Sequence, residues 1–262
     1  MSNFKLNNVS FKYSDSDKFI LSDLNIEVKS GEFVSLLGQS GCGKSTLLRL
    51  LSGLESPTSG EVIINNVVNG GPSLDKVVVF QDYGLFPWMS AGENIIIALE
   101  QKFKDKNKSE LIEIAKDWLS KVGLPDGIFD SLPKSLSGGM KQRCAIARAF
   151  SLNSDILLMD EPFGALDAVT RANLQDMVLE LWEKDEEKKT VFFVTHDVDE
   201  ALLLSNRILV LGQTPSSVIL DIKIEDKRNY DRNSIFDNVD AMKLRAQLIK
   251  TINQDVSHRI KK

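Results

Sequence analysis

A glycine-rich segment between two apolar runs constrains this chain more than any other feature. The segment GQSGCGKST, at Gly38–Thr46, follows the apolar run Phe33–Leu37 and precedes a leucine-rich run that Gly53 closes. Its spacing fits the pattern G-x-x-x-x-G-K-[ST], in which glycines allow successive backbone N–H groups to point at phosphate oxygens. The sequence therefore predicts a buried strand, a phosphate-binding loop and a helix whose positive N-terminus faces the anion.

Side chains of the same segment supply charge and a metal ligand. Lys44 provides a cation for the β- and γ-phosphates of a nucleotide, and the Ser45 hydroxyl is placed to ligate Mg²⁺. A glycine-rich turn with an incidental lysine is the alternative, and the flanking strand and helix patterns argue against it. The candidate nucleotide-binding residues of this loop are Gly38, Gln39, Ser40, Gly41, Cys42, Gly43, Lys44, Ser45 and Thr46.

A second apolar run ends in two carboxylates. Ile156–Met159 reads as a strand buried on both faces, and Asp160 and Glu161 follow it directly. Ligands gather at the carboxyl ends of parallel strands, so Asp160 is expected to hold Mg²⁺, directly or through water. Glu161 is then the candidate that polarises an attacking water. The alternative for an isolated Asp-Glu pair is a solvated strand end, which the phosphate loop upstream disfavours.

A third segment carries a family resemblance. Leu136-Ser137-Gly138-Gly139-Met140 is similar to the signature motif of ABC-type ATPases, a motif that simple P-loop kinases and GTPases lack. The likeness extends from Phe4 to about Val218. The other residues that match the family are Tyr13 (adenine stacking), Gln81 (Q-loop), Asp167 (D-loop) and His196 (switch histidine).

The resemblance implies both a fold and a mechanism. The implied fold is α/β, a P-loop NTPase of ABC type with a mainly parallel core sheet, an antiparallel β layer and an inserted helical subdomain. The implied reaction is Mg²⁺-dependent ATP hydrolysis, in which Leu136, Ser137, Gly138, Gly139 and Met140 act on ATP held by a second copy of the chain. The implied catalytic residues are Glu161, His196 and Gln81, and the implied Mg²⁺ ligands are Ser45, Gln81 and Asp160.

A closer likeness suggests a transport role. The segments Phe80–Trp88 and Asn69–Pro72 resemble the ATP-binding subunits of the nitrate, sulfonate and taurine importer group. This implies an importer of a small anion or a vitamin precursor, at the cytoplasmic face of the cell membrane. The implied partners are transmembrane permease subunits and, indirectly, an extracytoplasmic substrate-binding protein.

The loop after Gln81 concentrates apolar side chains. Because loops are normally surface segments, this apolar bulk needs an acceptor. One interpretation is a socket for a short helix of the permease, and the other is packing against the chain's own helical subdomain. The residues concerned are Tyr83, Leu85, Phe86, Pro87, Trp88 and Met89.

Composition and periodicity give the predicted organisation of the chain. The formal charge of −5 argues against a nucleic-acid surface, and the two cysteines do not make a disulfide framework. No apolar run approaches the roughly 18 residues that a membrane span needs, and the first residues do not resemble a signal peptide. The predicted regions are an ATPase domain (1–225) with a helical insert (about 82–155), and a polar, helical C-terminal tail (226–262) that includes an amphipathic piece around Met242–Ile252.

Other functions remain open at this point. A soluble ABC-type ATPase in DNA repair or ribosome-associated work is the main alternative, although such proteins usually carry two ATPase domains or basic arms. A kinase or GTPase switch is disfavoured by the signature motif and by His196. Exporters commonly fuse a membrane part to the ATPase, and the sequence shows none.

Overall fold

A computed structural model describes residues 3–224, 232 and 234–260, and these form two compact units. The first unit combines residues 1–73 with 187–262, and the second comprises residues 74–186. The strands are β1 (Phe4–Phe11), β2 (Leu21–Val28), β3 (Phe33–Leu37), β4 (Ser59–Ile64), β5 (Val67–Val68), β6 (Lys76–Val79), β7 (Ile156–Asp160), β8 (Thr190–Thr195), β9 (Arg207–Leu211) and β10 (Val218–Lys223). The helices are α1 (Lys44–Ser52), α2 (Ala91–Lys102), α3 (Lys108–Lys121), α4 (Gly138–Ser151), α5 (Ala168–Glu183), α6 (Val198–Leu204) and α7 (Val239–Ile260).

The first unit contains the expected antiparallel layer. Its strands lie in the order β2-β1-β4-β5, and each neighbouring pair is antiparallel. Strand β2 buries alternate side chains, as a sheet with one covered face requires: Leu24, Ile26 and Val28 are buried while the residues between them are exposed. The short strand β5 was not predicted, because two residues carry too little pattern to separate them from the surrounding turn.

The first unit also contains a parallel core. Strand β3 pairs in parallel with both β8 and β9, and every residue of these three strands is buried. Strand β10 is antiparallel to β9, which gives the order β10-β9-β3-β8. The apolar run Phe33–Leu37, which predicted a buried strand before the phosphate loop, is confirmed as β3.

The second unit places helices beside a parallel strand pair. Strands β6 and β7 are parallel, and α3 packs against both α2 and α4. In α3, Leu111, Ala115 and Leu119 are buried at helical spacing, and Gly123 follows the helix in the left-handed region at φ 71°. Helices α2 and α3 each begin with a capping box, Ser90 with Glu93 and Asn107 with Glu110.

The structure bears on several boundary predictions. The α/β class, with parallel core strands and an antiparallel layer, is confirmed. Ala145, Ile146 and Ala149 fall at helical spacing and predict a helix over Met140–Phe150; the observed helix α4 begins earlier, at Gly138, because the Ser137 side chain caps it there. The predicted boundary at 225/226 lies outside the described residues, and the helical insert at 82–155 stays a prediction. Among the described residues, every helix lacks the combination of length and apolar character that crossing a membrane requires.

Candidate functional site

The phosphate loop connects β3 to α1 in the first unit. Two of its glycines have left-handed backbone angles, Gly41 at φ 78° and Gly43 at φ 100°, which residues with a Cβ rarely adopt. Gly43 is also the N-cap of α1, so it has no side chain to satisfy the amides of the first turn. The loop therefore presents the N-terminus of α1 without a capping side chain in front of it, a geometry that suits an anion such as phosphate.

At two positions of the loop, neighbouring atoms leave no room for a Cβ atom, so glycine is required there. A Cβ at Gly38 would lie 2.8 Å from the Cys42 sulfur and 2.8 Å from the backbone oxygen of Leu211 in β9. A Cβ at Gly43 would lie 2.8 Å from a methyl of Leu21 in β2. Contacts within the loop and with two strands thus favour glycine at both positions, and these are two of the glycines of the predicted phosphate-binding pattern.

Lys44 is anchored by the loop itself. Its side chain is 5% exposed, and its Nζ donates hydrogen bonds to the carbonyl oxygens of Gly38 (2.8 Å) and Gln39 (3.0 Å). These neutral acceptors fix the ammonium group without cancelling its charge. The cation is consequently positioned over the same loop that presents the α1 amides.

Cys42 does not behave as a nucleophile in this loop. The residue is 3% exposed, and burial raises the pKa of its thiol despite the opposing charge of Lys44. Its backbone N–H donates to the Gln39 oxygen at 3.3 Å, which closes a turn within the loop. The interpretation of Cys42 as a small loop residue agrees with this environment.

Tyr13 lies beside the end of the phosphate loop. Its hydroxyl is 3.3 Å from the hydroxyl of Thr46, and its ring meets Phe11 edge to face at a centroid distance of 4.9 Å. Its partial burial leaves ring surface accessible next to the loop. The predicted adenine-stacking residue and the predicted phosphate loop are therefore neighbours in the first unit.

His196 emerges at the same sheet edge as the phosphate loop. Leu37, the last residue of β3, pairs with Thr195, the last residue of β8, so the segments that follow leave adjacent parallel strands together. His196 is exposed, and the Asp197 after it caps α6 by accepting from Asp199 and Glu200 amides. Strand and helix thus fix the backbone on both sides of the histidine.

Gln81, Asp160 and Glu161 form a corresponding group in the second unit. Val79 pairs with Met159 in the parallel strands β6 and β7, so the three polar residues follow at one edge of this pair. A Cβ at Gly164 would lie 3.8 Å from a Glu161 carboxylate oxygen and 3.9 Å from the Gln81 amide nitrogen. The structure therefore brings the Glu161 and Gln81 side chains to one place.

Glu161 has an unusual backbone. Its φ of 43° is in the left-handed region, which is costly for a residue with a side chain and is concentrated at functional positions. The turn redirects the chain as soon as β7 ends at Asp160. The chain therefore changes conformation between the two consecutive carboxylates, since Asp160 belongs to the strand and Glu161 to the turn.

The signature residues form the start of α4. Ser137 is the exposed N-cap, and its hydroxyl accepts from the Met140 amide at 3.3 Å, while Leu136 is buried. A Cβ at Gly139 would lie 2.6 Å from the Thr170 methyl of α5, so close helix packing requires glycine there. The segment presents an exposed hydroxyl at a helix N-terminus, which is a second anion-binding geometry.

Asp167 has a local role that its motif did not reveal. It is the N-cap of α5, and its Oδ1 accepts from the amides of Val169 (3.1 Å) and Thr170 (3.0 Å). Hydrogen bonds from Thr170, first from its side chain and then from its backbone, lower the pKa of Asp167. The exposed carboxylate is thus oriented and kept ionised at the start of the helix.

Comparison with known proteins decides the family. Residues 21–164 match the model of the ABC transporter family. The chain belongs to that family, as an ATP-binding subunit. Its activity is accordingly ATP hydrolysis, and the resemblance based on the signature motif is confirmed. The matched region contains the phosphate loop, the signature motif and the acidic end of β7.

Two relatives are similar to this ABC ATPase over nearly its whole length. It is 44% identical over 251 residues to an uncharacterized ABC transporter ATP-binding protein, MJ0412, of Methanocaldococcus jannaschii, covering 96% of this chain and 91% of that protein. It is also 44% identical over 255 residues to the bicarbonate transport ATP-binding protein CmpC of Synechococcus elongatus. That match covers 97% of this chain but 38% of CmpC.

A solved structure resembles the ABC ATPase over most of its length. It is the dimeric post-hydrolysis state of the ATP-binding cassette MJ0796 bound to ADP and Pi. The TM-score is 0.74 at 33% identity, and the match covers 85% of this chain and 99% of that one. The fold class predicted from the sequence is confirmed by this likeness.

The residues that the sequence predicted as magnesium ligands all carry oxygen donors, Ser45 in the first unit and Asp160 and Gln81 in the second. The candidates are the exposed hydroxyl of Ser45, the half-buried carboxylate of Asp160 and the exposed amide of Gln81. Within the described ranges, His, Cys, Asp and Glu side chains do not gather in threes as a metal cage would need. Magnesium in nucleotide sites instead takes one or two protein ligands together with phosphates and waters, and these residues fit that chemistry.

Sequence reasoning missed Arg148, which supports the segment after Gln81. Its guanidinium, at the far end of α4, donates to the carbonyl oxygens of Gly84 (2.7 Å) and Tyr83 (3.3 Å). Both residues are left-handed, at φ 54° and 68°, so the arginine stabilises a strained turn. Burial lowers the pKa of Arg148. The sequence shows only that an arginine lies on an apolar helix face, and this does not identify the carbonyl groups to which it donates.

Proposed function

We propose that this ABC ATPase energises the import of a small anion of the bicarbonate or nitrate type. The observation that carries the proposal is the 44% identity to CmpC over nearly the whole of this chain. The likeness of Phe80–Trp88 to the nitrate, sulfonate and taurine group supports the same class. Membership in a transporter family favours transport over the DNA-repair and ribosome-associated alternatives, and a vitamin precursor is the second substrate class.

We propose a division of labour that follows the family resemblance and that the local geometry of each residue supports. Lys44 and the first-turn amides of α1 bind phosphates, Tyr13 stacks on adenine, and Ser45 and Asp160 ligate Mg²⁺. Glu161 orients and deprotonates the attacking water. Gln81 contacts the metal or the water, and His196 contacts the γ-phosphate. Most of the rate acceleration then comes from positioning and charge stabilisation.

We propose that a second copy of the chain completes each nucleotide site. Ser137 is exposed at the start of α4, where the helix N-terminus suits an anion. A group that acts on the γ-phosphate of another chain must be exposed in this way. The MJ0796 cassette is dimeric with ADP and Pi, which supports the same arrangement here. ATP bound between two copies stabilises the dimer, and hydrolysis releases it.

The loop after Gln81 is the proposed docking surface for a permease. Its apolar residues divide into two groups: Tyr83, Leu85 and Met89 are half-buried, whereas Phe86 and Trp88 are 39% and 70% exposed. The rings of Phe86 and Trp88 lie 5.5 Å apart, centroid to centroid. The half-buried residues are compatible with internal packing, and the exposed aromatic pair suits an interface anchor.

Buried Asn94 holds this loop in place. Its Oδ1 accepts from the Phe86 amide at 2.7 Å, and its Nδ2 donates to the carbonyls of Phe86, Met89 and Ser90. Asn94 is 0% exposed, so the loop is fixed from inside the second unit. A rigid loop with exposed aromatic rings costs little conformational entropy on binding.

Replacing Trp88 with alanine is expected to weaken permease binding by about 10-fold or more, the scale of losing an aromatic anchor. Nucleotide affinity should stay unchanged, because Trp88 belongs to none of the groups that hold phosphate. The measurement is co-purification of the tagged chain with its co-expressed permease, alongside titration with a fluorescent ATP analogue.

Phe236→Ala is the matched control, since Phe236 is 56% exposed in the other unit. Equal permease recovery for both variants would contradict the docking surface. The same cells are assayed for uptake of bicarbonate and nitrate, with the transporter's binding protein present. If neither ion requires this chain for uptake, the anion assignment fails while the ATPase assignment stands.

A further inference from the structure

The C-terminal helix α7 has no role in the site described so far. It lies outside the residues that match the family model, and the sequence predicted only an amphipathic piece in a polar, helical tail. Its Ala241 and Leu248 are 1% and 0% exposed. They share a core cluster with Leu37, the residue that immediately precedes the phosphate loop. The helix is therefore packed against the structure that carries the nucleotide-binding residues of the first unit.

A bidentate ion pair links α7 to the segment that carries His196. The Nε of Arg245 lies 2.5 Å from one oxygen of Asp199, and its Nη2 lies 3.2 Å from the other. Asp199 is in the first turn of α6, and its amide is held by Asp197, the residue after His196. The paired carboxylate raises the pKa of Arg245. Geometry of this kind fixes orientation as well as adding energy.

A second connection links α7 to the phosphate loop. The Oδ2 of Asp255 accepts from the Gln213 amide at 2.9 Å, and the hydroxyl of the adjacent Thr214 donates to the Gly41 oxygen at 3.0 Å. Gly41 is one of the two left-handed glycines of the phosphate loop. Asp255 is close enough to add to the raised pKa of Cys42, although burial is the larger cause.

We infer that α7 positions both nucleotide-facing loops of the first unit. Arg245 orients the His196 segment through Asp199, and Asp255 orients the phosphate loop through Gln213 and Thr214. Arg245 and Asp255 are positioning residues: each acts through other residues and does not itself contact the nucleotide. The inference rests on the proposed roles of the phosphate loop and His196, and it assigns the two connections different kinetic effects.

Steady-state kinetics of the whole chain distinguish the effects of the two connections. Asp255→Ala and Thr214→Val should raise the KM for ATP about 3- to 10-fold with little change in kcat, the scale of one lost hydrogen bond. Arg245→Gln should lower kcat about 10-fold with little change in KM, because it disturbs the histidine rather than the phosphate cradle. Arg245→Lys, which keeps the cation, should recover most of the lost kcat.

Lys243→Gln is the matched control, because it removes an exposed ion pair with Asp240 on the same helix. It should leave both kinetic constants at wild-type values. The inference is overturned if all these variants keep wild-type KM and kcat. It is equally overturned if they lower only the unfolding temperature and the fraction of active protein, since α7 would then be purely structural. A wild-type chain that neither binds nor hydrolyses ATP would overturn the proposed function, and this inference with it.

Discussion

Replacing Glu161 with glutamine lowers the rate of ATP hydrolysis by about 10²- to 10³-fold, the scale of losing one positioned catalytic group. Glutamine keeps the shape of the side chain but removes the base. The Glu161 side chain lies beside the Gln81 amide, and its backbone is held in the left-handed region. ATP should still bind, because Glu161 belongs to neither the phosphate loop nor the adenine-stacking position. Phosphate release at saturating Mg·ATP measures the loss.

The matched control for this substitution is Glu183→Gln. Glu183 is an exposed carboxylate at the end of α5 in the same unit, so it reproduces the loss of one negative charge away from the site. Its hydrolysis rate should equal that of the wild type. Near-normal hydrolysis by the Glu161 variant would show that another group activates the water.

Replacing Lys44 with alanine raises the Kd for ATP by about 10²-fold or more, as truncation of a buried, hydrogen-bonded charge facing an anion should. The Lys44 ammonium is held by two loop carbonyls and is 5% exposed, so no neighbouring cation takes its place without rearrangement of the loop. Isothermal titration or a fluorescent ATP analogue measures the affinity.

Arg49→Ala controls for the loss of a cation from the same helix. Arg49 is an exposed α1 residue that pairs with Glu55 at 3.7 Å, outside the loop. Its removal should leave the Kd unchanged, and both variants should unfold at temperatures close to the wild type. A Lys44 variant that binds ATP with wild-type affinity would remove the phosphate loop from the proposed site.

Local sequence signals predicted the strand, loop and helix around the phosphate site. Phe33–Leu37 and Lys44–Ser52 are found as predicted, because an apolar run of strand length and a glycine-bounded leucine pattern are both local properties. The polar residues after β6, β7 and β8 were likewise foreseeable. Within each unit, parallel strands bring their carboxyl ends to one edge, which a sequence can indicate without specifying distances.

The sequence could not predict the long-range polar contacts. Arg148, Arg245 and Asp255 look like ordinary charged residues on helices, and periodicity does not reveal which of them find buried or bidentate partners. The left-handed backbone of Glu161 is also hidden, because only the packing around a strand end can impose it. The sequence predicted a polar, helical tail with an amphipathic piece, but not that residues of α7 lie in the core cluster that contains Leu37.

The most direct test of the account is the oligomeric state of the Glu161→Gln protein with Mg·ATP. If two copies bind two ATP molecules between the phosphate loop of one and Ser137 of the other, sedimentation or native mass spectrometry should show a dimer carrying two ATP. Without nucleotide, or with ADP, the same protein should be monomeric. Ser137 should become protected only in the dimer. A protein that binds ATP with full occupancy and stays monomeric, with Ser137 still accessible, would contradict the central claim.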